Sequence, residues 1–183
     1  MSKILVDEIA PKTSGSKVLM PQGGVIQVQY TMFTGTSSTV YASTVNTKLT
    51  DLAVNITPIS TDSIIKIEAF VTGEYSNTSS NYNSAWFFFR DNTALVSPNA
   101  GSRNSGIQMG GNATYYSYDG ASTPDNASYM YFDSPSSTSQ ITYTVGLVSY
   151  YAGTWYLNRT VTDTDNADYE RGISSICVTE IAG

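Results

Sequence analysis

Short segments rich in β-branched and aromatic residues alternate along this chain with clusters of Gly, Ser, Asn, Asp and Pro. The apolar segments run for roughly five to ten residues, and the 3.6-residue period of an amphipathic helix is nearly absent. Regularly spaced strand signals separated by turn residues are typical of β-sandwiches and barrels. The pattern therefore predicts an all-β protein with about eight long strands, enough for two packed sheets.

Three segments carry the clearest strand patterns. In residues 25–33 apolar and polar positions partly alternate, which predicts one dry and one wet face. The predicted dry face consists of Ile26, Val28, Tyr30 and Met32. Leu52, Val54 and Ile56 alternate in the same way before Pro58 ends that strand. The continuous apolar run 85–89 predicts a strand that is covered on both faces.

Turn residues suggest which strands are neighbours. The connector 58–62 has turn chemistry, so we expect the strands on either side of it to lie close together. Residues 140–149 alternate, and 154–158 are their expected hairpin mate across 151–153. Two polar stretches without clear periodicity, 73–84 and 97–128, are expected to be loops.

The first residues predict a separate stem. Two short strands, 3–9 and 17–20, precede a Pro/Gly cluster at 21–24, which indicates a stem at 1–22 and a β-sandwich head at 23–183. Strands this short are not stable alone, so we expect a homotrimer in which their apolar side chains meet around a shared axis. The expected stem contacts are Ile4, Val6, Ile9, Val18 and Met20. The apolar strand 86–89 is a further motive for trimerisation. Alternatively, the stem adds edge strands to its own sandwich.

Composition argues against several classes of function. The 183 residues suffice for one sizeable core, and the formal net charge is −6 with only nine scattered Lys and Arg. No basic stripe exists that would neutralise a run of phosphates, so we expect no nucleic-acid partner. There is no His, and 48 residues are Ser or Thr. A chain without an imidazole favours a binding or structural role over catalysis.

The single cysteine and the N-terminus bear on compartment. A lone thiol such as Cys177 in an apolar run is most often a small buried hydrophobe, and it cannot form a disulfide within the chain. The apolar residues near Met1 are too few for a secretion signal, and no segment is long enough to span a bilayer. We expect no membrane insertion.

Tyrosines in the polar loops are the best candidates for a recognition surface. Tyrosine offers stiff, amphipathic contact area and can stack on sugar rings. The candidate receptor-binding residues are Tyr75, Tyr82, Tyr115, Tyr116 and Tyr118. The alternative is that they pack onto the sandwich or line a subunit interface.

Carboxylates leave two further hypotheses. Asp163, Asp165 and Asp168, with Glu170, form the densest acidic cluster, but a calcium loop needs Gly and Glu where this chain has Asp168 and Ser174. A solvated turn is the preferred interpretation, and we expect no metal and no cofactor. A glycosidase needs only two carboxylates, yet none stands in an apolar setting that would raise its pKa.

An ordered set of motifs resembles short tail-fibre and virion fibre-like proteins of tailed phages, notably marine ones. The motifs are KILVDEI (3–9), SKVLMPQGGVIQV (16–28), NITPISTDSIIKI (55–67), DSPSSTSQITY (133–143), GTWYLNR (153–159) and TEIAG (179–183). The resemblance implies a trimeric virion protein with a jelly-roll-like head, akin to tumour necrosis factor and complement-type domains, and no shared catalytic residues.

Two functions follow as expectations. The first is a non-enzymatic virion protein whose stem binds other tail or capsid proteins and whose head attaches to a host-surface glycan or protein. The second is a capsid decoration or structural adaptor protein that binds no receptor. A glycan-cleaving enzyme is the third hypothesis.

Overall fold

The chain forms a two-layered β structure in the computed structural model, which describes residues 21–98, 101–110 and 122–183. Those residues contain eleven strands and one short helix. The elements are β1 (Val25–Phe33), β2 (Ser37–Tyr41), β3 (Thr47–Ile56), β4 (Ile64–Tyr75), α1 (Thr78–Tyr82), β5 (Ser84–Arg90), β6 (Thr93–Leu95), β7 (Gln108–Met109), β8 (Asp125–Asp133), β9 (Ile141–Ser149), β10 (Gly153–Leu157) and β11 (Ser174–Ile181).

Two antiparallel sheets pack face to face, which confirms the predicted all-β sandwich. The six-stranded front sheet has the order β1-β11-β4-β10-β2, with β8 on the other edge of β4. The five-stranded back sheet has the order β3-β9-β5-β6, with β7 also paired to β5. Consecutive strands cross repeatedly from one sheet to the other, as in a jelly roll.

Apolar side chains from both sheets fill the space between the layers. Leu52, Val54 and Ile56 are buried there, as their alternation predicts. At one end of the core the ring of Trp155 packs against Tyr75 and Trp86, with centroids 4.6 and 5.0 Å away. Fully burying a large apolar side chain contributes about 1.5–3 kcal/mol, so this layer is the main source of stability.

β5 is buried on both faces, as predicted. Trp86 and Phe88 point into the core, whereas Phe87 and Phe89 point outward from the back sheet. Ala94, Val96 and Ile107 pack over these two outward rings. The side chains of 86–89 are therefore covered within a single chain, so this strand gives no reason to expect a trimer, and trimerisation stays a prediction.

The prediction for the faces of β1 is also wrong, although its bounds match. Val28, Tyr30 and Met32 lie on the outer surface. Thr31 instead lies on the inner side, where its hydroxyl donates to the carbonyl oxygen of Ala53 at 2.7 Å. Because β1 is the edge strand of the front sheet, its inward residues reach the rim of the sandwich, where polar side chains find backbone partners.

Neighbours along the chain are not always neighbours in a sheet. The connector 58–62 links β3 to β4, and 150–152 link β9 to β10, but each pair of strands is divided between the two sheets. The hairpin expected of β9 and β10 is therefore wrong, because turn residues specify a change of direction, not the sheet that the next strand joins. β8 was not anticipated, and its first residues fall in the stretch 97–128 that was expected to be a loop.

The N-terminal junction lies beside the C-terminus. The backbone N–H of Gly23 donates to Ala182 at 2.7 Å, and that of Ala182 donates to Gly24 at 2.9 Å. Gly23 has φ +81°, which explains a glycine at this turn. The predicted stem residues Ile4, Val6, Ile9, Val18 and Met20 lie outside the described residues.

Candidate functional site

A cleft with an aromatic wall lies at the end of the sandwich where β4 leads into α1. We call it the tyrosine cleft; its volume is about 370 Å³. Its walls come from α1, the start of β5, the β9–β10 connection and the segment 102–109. The larger side chains that line it are Tyr82, Asn83, Arg103, Asn104, Met109 and Tyr150.

The predicted tyrosines divide into three outcomes. Tyr82 lines the cleft and is 69% exposed. Tyr75 is only 2% exposed and belongs to the core, so its assignment to a receptor surface is wrong. Burial raises the pKa of its phenol well above the usual value, which keeps it neutral. Tyr115, Tyr116 and Tyr118 lie outside the described residues.

Two tyrosines that sequence reasoning missed complete the aromatic wall. Tyr150 lines the cleft, and the Tyr151 ring packs edge-on against it, with centroids 5.0 Å apart and planes at 88°. The backbone N–H of Tyr150 donates to Asn83 at 2.9 Å, which joins the β9–β10 connection to the end of α1. A Tyr pair in a turn next to Gly153 was the available signal, and it had been assigned to a hairpin connector.

A buried hydroxyl network holds α1 in place beneath the cleft. Ser80 is the centre of the network: its hydroxyl accepts hydrogen bonds from Tyr41 at 2.8 Å and Ser149 at 3.2 Å. The Ser80 hydroxyl in turn donates to the side chain of Asn77, which also caps the helix by accepting from the Ser80 N–H at 3.0 Å. A satisfied polar network fixes geometry, so the element that carries Tyr82 is anchored to the sandwich.

The acidic cluster is organised by arginines. Arg171 donates twice to the Asp163 carboxylate, both times at 2.9 Å, and Arg159 approaches the same group at 3.9 Å. Asp163, Asp165 and Arg171 line a polar depression of about 530 Å³. Within the described residues no group of three or more His, Cys, Asp or Glu is placed to hold a metal ion.

Glu180 is a buried carboxylate that receives three hydrogen bonds from other parts of the chain. The donors are the Ser63 hydroxyl at 2.6 Å, the Gln27 amide at 2.6 Å and the backbone N–H of Ile59 at 2.7 Å. Burial alone would raise the pKa of Glu180, but these hydrogen bonds outweigh it and hold the pKa below its usual value. Glu180 thereby ties β1 and the 59–63 turn to β11.

Asp133 is another buried carboxylate. It accepts from Arg90 Nη1 at 3.0 and 3.1 Å and from the Tyr143 hydroxyl at 2.7 Å. Burial and the neighbouring Asp133 raise the pKa of Tyr143, so its phenol stays a hydrogen-bond donor. Neither Asp133 nor Glu180 lines the tyrosine cleft.

No protein-family model matches this chain, and no curated protein has a matching sequence. Within the described ranges, no helix has both the length and the apolar character needed to cross a membrane. What the geometry defines is an antiparallel β-sandwich with an open, tyrosine-walled cleft at one end.

Proposed function

We propose that this chain is a non-enzymatic structural protein of a phage virion, a tail fibre or fibre-like protein whose head attaches to the host surface. The tyrosine cleft is the attachment site in this proposal. The chain forms a homotrimer and binds other tail or capsid proteins through its N-terminal segment. The observation that carries the proposal is the group of exposed tyrosine rings on a rigid support, together with the ordered resemblance to fibre-like proteins.

The chemistry of the cleft suits a glycan. The exposed ring of Tyr82 can stack on the apolar face of a sugar, because aromatic side chains offer a flat, stiff contact area. Asn83, Asn104 and Arg103 place amide and guanidinium groups in the same cleft, where sugar hydroxyls need partners. Such a shallow site binds weakly alone, and repetition over three chains raises the strength of attachment.

One observation favours a second candidate, a capsid decoration or structural adaptor protein. Met109 in the cleft is 87% exposed. Exposed Met and Tyr side chains are also typical of protein–protein interfaces, so the cleft would then hold another virion protein.

Substitution of the cleft tyrosines tests the proposal. Tyr82→Ser with Tyr150→Ser removes both stacking rings, and binding to host cells is expected to fall about fivefold or more for each chain, because an aromatic contact contributes about 1 kcal/mol. Tyr169→Ser, which removes a tyrosine from the separate acidic depression, is the matched control and should bind normally.

Two outcomes would contradict the proposal. Normal host-cell binding by the double variant would remove the cleft as the attachment site, and binding of wild type only to other virion proteins would favour the adaptor. Wild-type protein incubated with host polysaccharide is expected to release no new reducing ends; their appearance would establish a glycan-cleaving enzyme instead.

A further inference from the structure

The outer face of the front sheet carries large apolar side chains on three of four neighbouring strands, β1, β4 and β8. Tyr30 on β1 lies opposite Cys177 on β11, which lies opposite Glu68 on β4 and then Met130 on β8. Directly paired residues point to the same side of a sheet, so each such row lies on one face. The two flanking rows add Val28 with Phe132, and Met32 with Phe70.

We call this surface the front face; its members are Val28, Tyr30, Met32, Phe70, Met130 and Phe132, and each is close to half exposed or more. Single exposed apolar residues need no explanation, but six on one face of a sheet, on both sides of the small residues of β11, mark a candidate contact surface. Cys177 lies at its centre and is half-buried, so the burial expected of its thiol is only partial in one chain.

We propose that the front face is buried against other copies of the same chain. The charges of the face favour a copy as the partner. Within the three rows, Lys66 and Glu68 are the charged residues, and their side chains form an ion pair at 2.8 Å. The face is therefore neutral although the chain has a net charge of −6, so two copies meet here without the repulsion expected elsewhere. Lys66 of one copy can also pair with Glu68 of another.

The size of the face fits this partner. Four strands about 4.8 Å apart, with three rows that each take two steps of about 3.3 Å along the strand, cover on the order of 400 Å² in projection. The accessible area of protruding side chains is larger than their projection. A stable interface buries about 800 Å² on each partner, which is the same order.

The front face would be the contact surface of the trimer in the proposed function, and this contact does not depend on attachment to a host. Residues 1–20 are the competing occupant, since the chain enters β1 next to this face. A monomer in which those residues cover the face is therefore one outcome of the test.

Light scattering on the full chain at micromolar concentration tests the contact. Wild type is expected to form oligomers, and Tyr30→Glu with Met130→Glu is expected to give monomers with unchanged circular dichroism, because both positions are exposed in one chain. Val40→Glu, at a residue 78% exposed on β2, is the matched control and should remain oligomeric.

The single cysteine reads out the same face without any substitution. Reaction of Cys177 with a maleimide is expected to be slow in the oligomer and to accelerate at least tenfold on dilution to monomers. An oligomer that persists in the double variant would show that the front face is not the contact between copies, but it would remain compatible with a trimer. A wild-type monomer would contradict both the front-face contact and the trimer. Its thiol would react quickly if the face is free, or would be protected at every concentration if residues 1–20 cover the face. Neither result would touch the attachment function.

Discussion

The outer faces of the two sheets differ in whether the chain itself covers their apolar side chains. On the back sheet, Phe87 and Phe89 point outward and are covered by Ala94, Val96 and Ile107 of the same chain. On the front sheet, Tyr30, Met32 and their neighbours point outward and stay exposed in the described part of the chain. Apolar residues on the outer face of a sheet can thus either stabilise the fold or form a contact with another molecule. Whether other residues of the same chain cover them distinguishes the two cases.

The largest expected effect is a difference in unfolding free energy between substitutions on the two outer faces. Phe87→Ala removes a fully buried ring and is expected to cost about 3–5 kcal/mol of unfolding free energy. Phe132→Ala, at a residue 54% exposed on the front face, should change the stability of dilute, monomeric protein by less than about 0.5 kcal/mol. Urea unfolding of both variants measures the difference. Equal losses would mean that the front face is also covered within one chain.

A smaller effect concerns the strand that carries part of the front face. Glu180→Gln leaves the shape unchanged but removes the charge that accepts from Ser63, Gln27 and Ile59, so we expect a loss of about 1–3 kcal/mol at pH 7. Because the folded pKa of Glu180 lies below its usual value of 4.5, the stabilisation is present above pH 4.5 and is lost as the pH falls through the lowered pKa.

The measurement is the difference in unfolding free energy between wild type and Glu180→Gln, taken from pH 7 downward. It should be constant above about pH 5 and shrink in acid. A difference that grows in acid would contradict the lowered pKa. Thr179→Val, at the neighbouring half-buried residue, is the control, since it alters β11 without changing the carboxylate.

Much of the fold could be predicted because period-two patterns mark strands wherever one face meets a core. Leu52, Val54 and Ile56 and the run 85–89 are examples. The stretch 73–84 was expected to be a loop, although small or apolar residues continue at odd positions of β4 through Val71 and Gly73 to Tyr75. A longer reading of that pattern would have placed Tyr75 in the core.

The orientation of β1 had no comparable local signal. Its inward residue Gln27 is satisfied by Glu180, a partner 153 positions away in the sequence. Alternation distinguishes two faces, but which one is inward depends on such distant contacts. The tyrosine cleft was only partly predictable for the same reason, since Tyr82 and Tyr150 meet through the fold and not through the sequence.

The backbone hydrogen bond between Gly23 and Ala182 marks one end of the sandwich, opposite the end that carries the tyrosine cleft. It lies beside Ile64, the first residue of β4, whereas the tyrosine cleft begins just beyond Tyr75, the last. Eleven steps of about 3.3 Å separate those ends, or roughly 36 Å along the strand. In the proposed fibre, attachment through the N-terminal segment would therefore hold the sandwich at this end and leave the tyrosine cleft facing away from the particle.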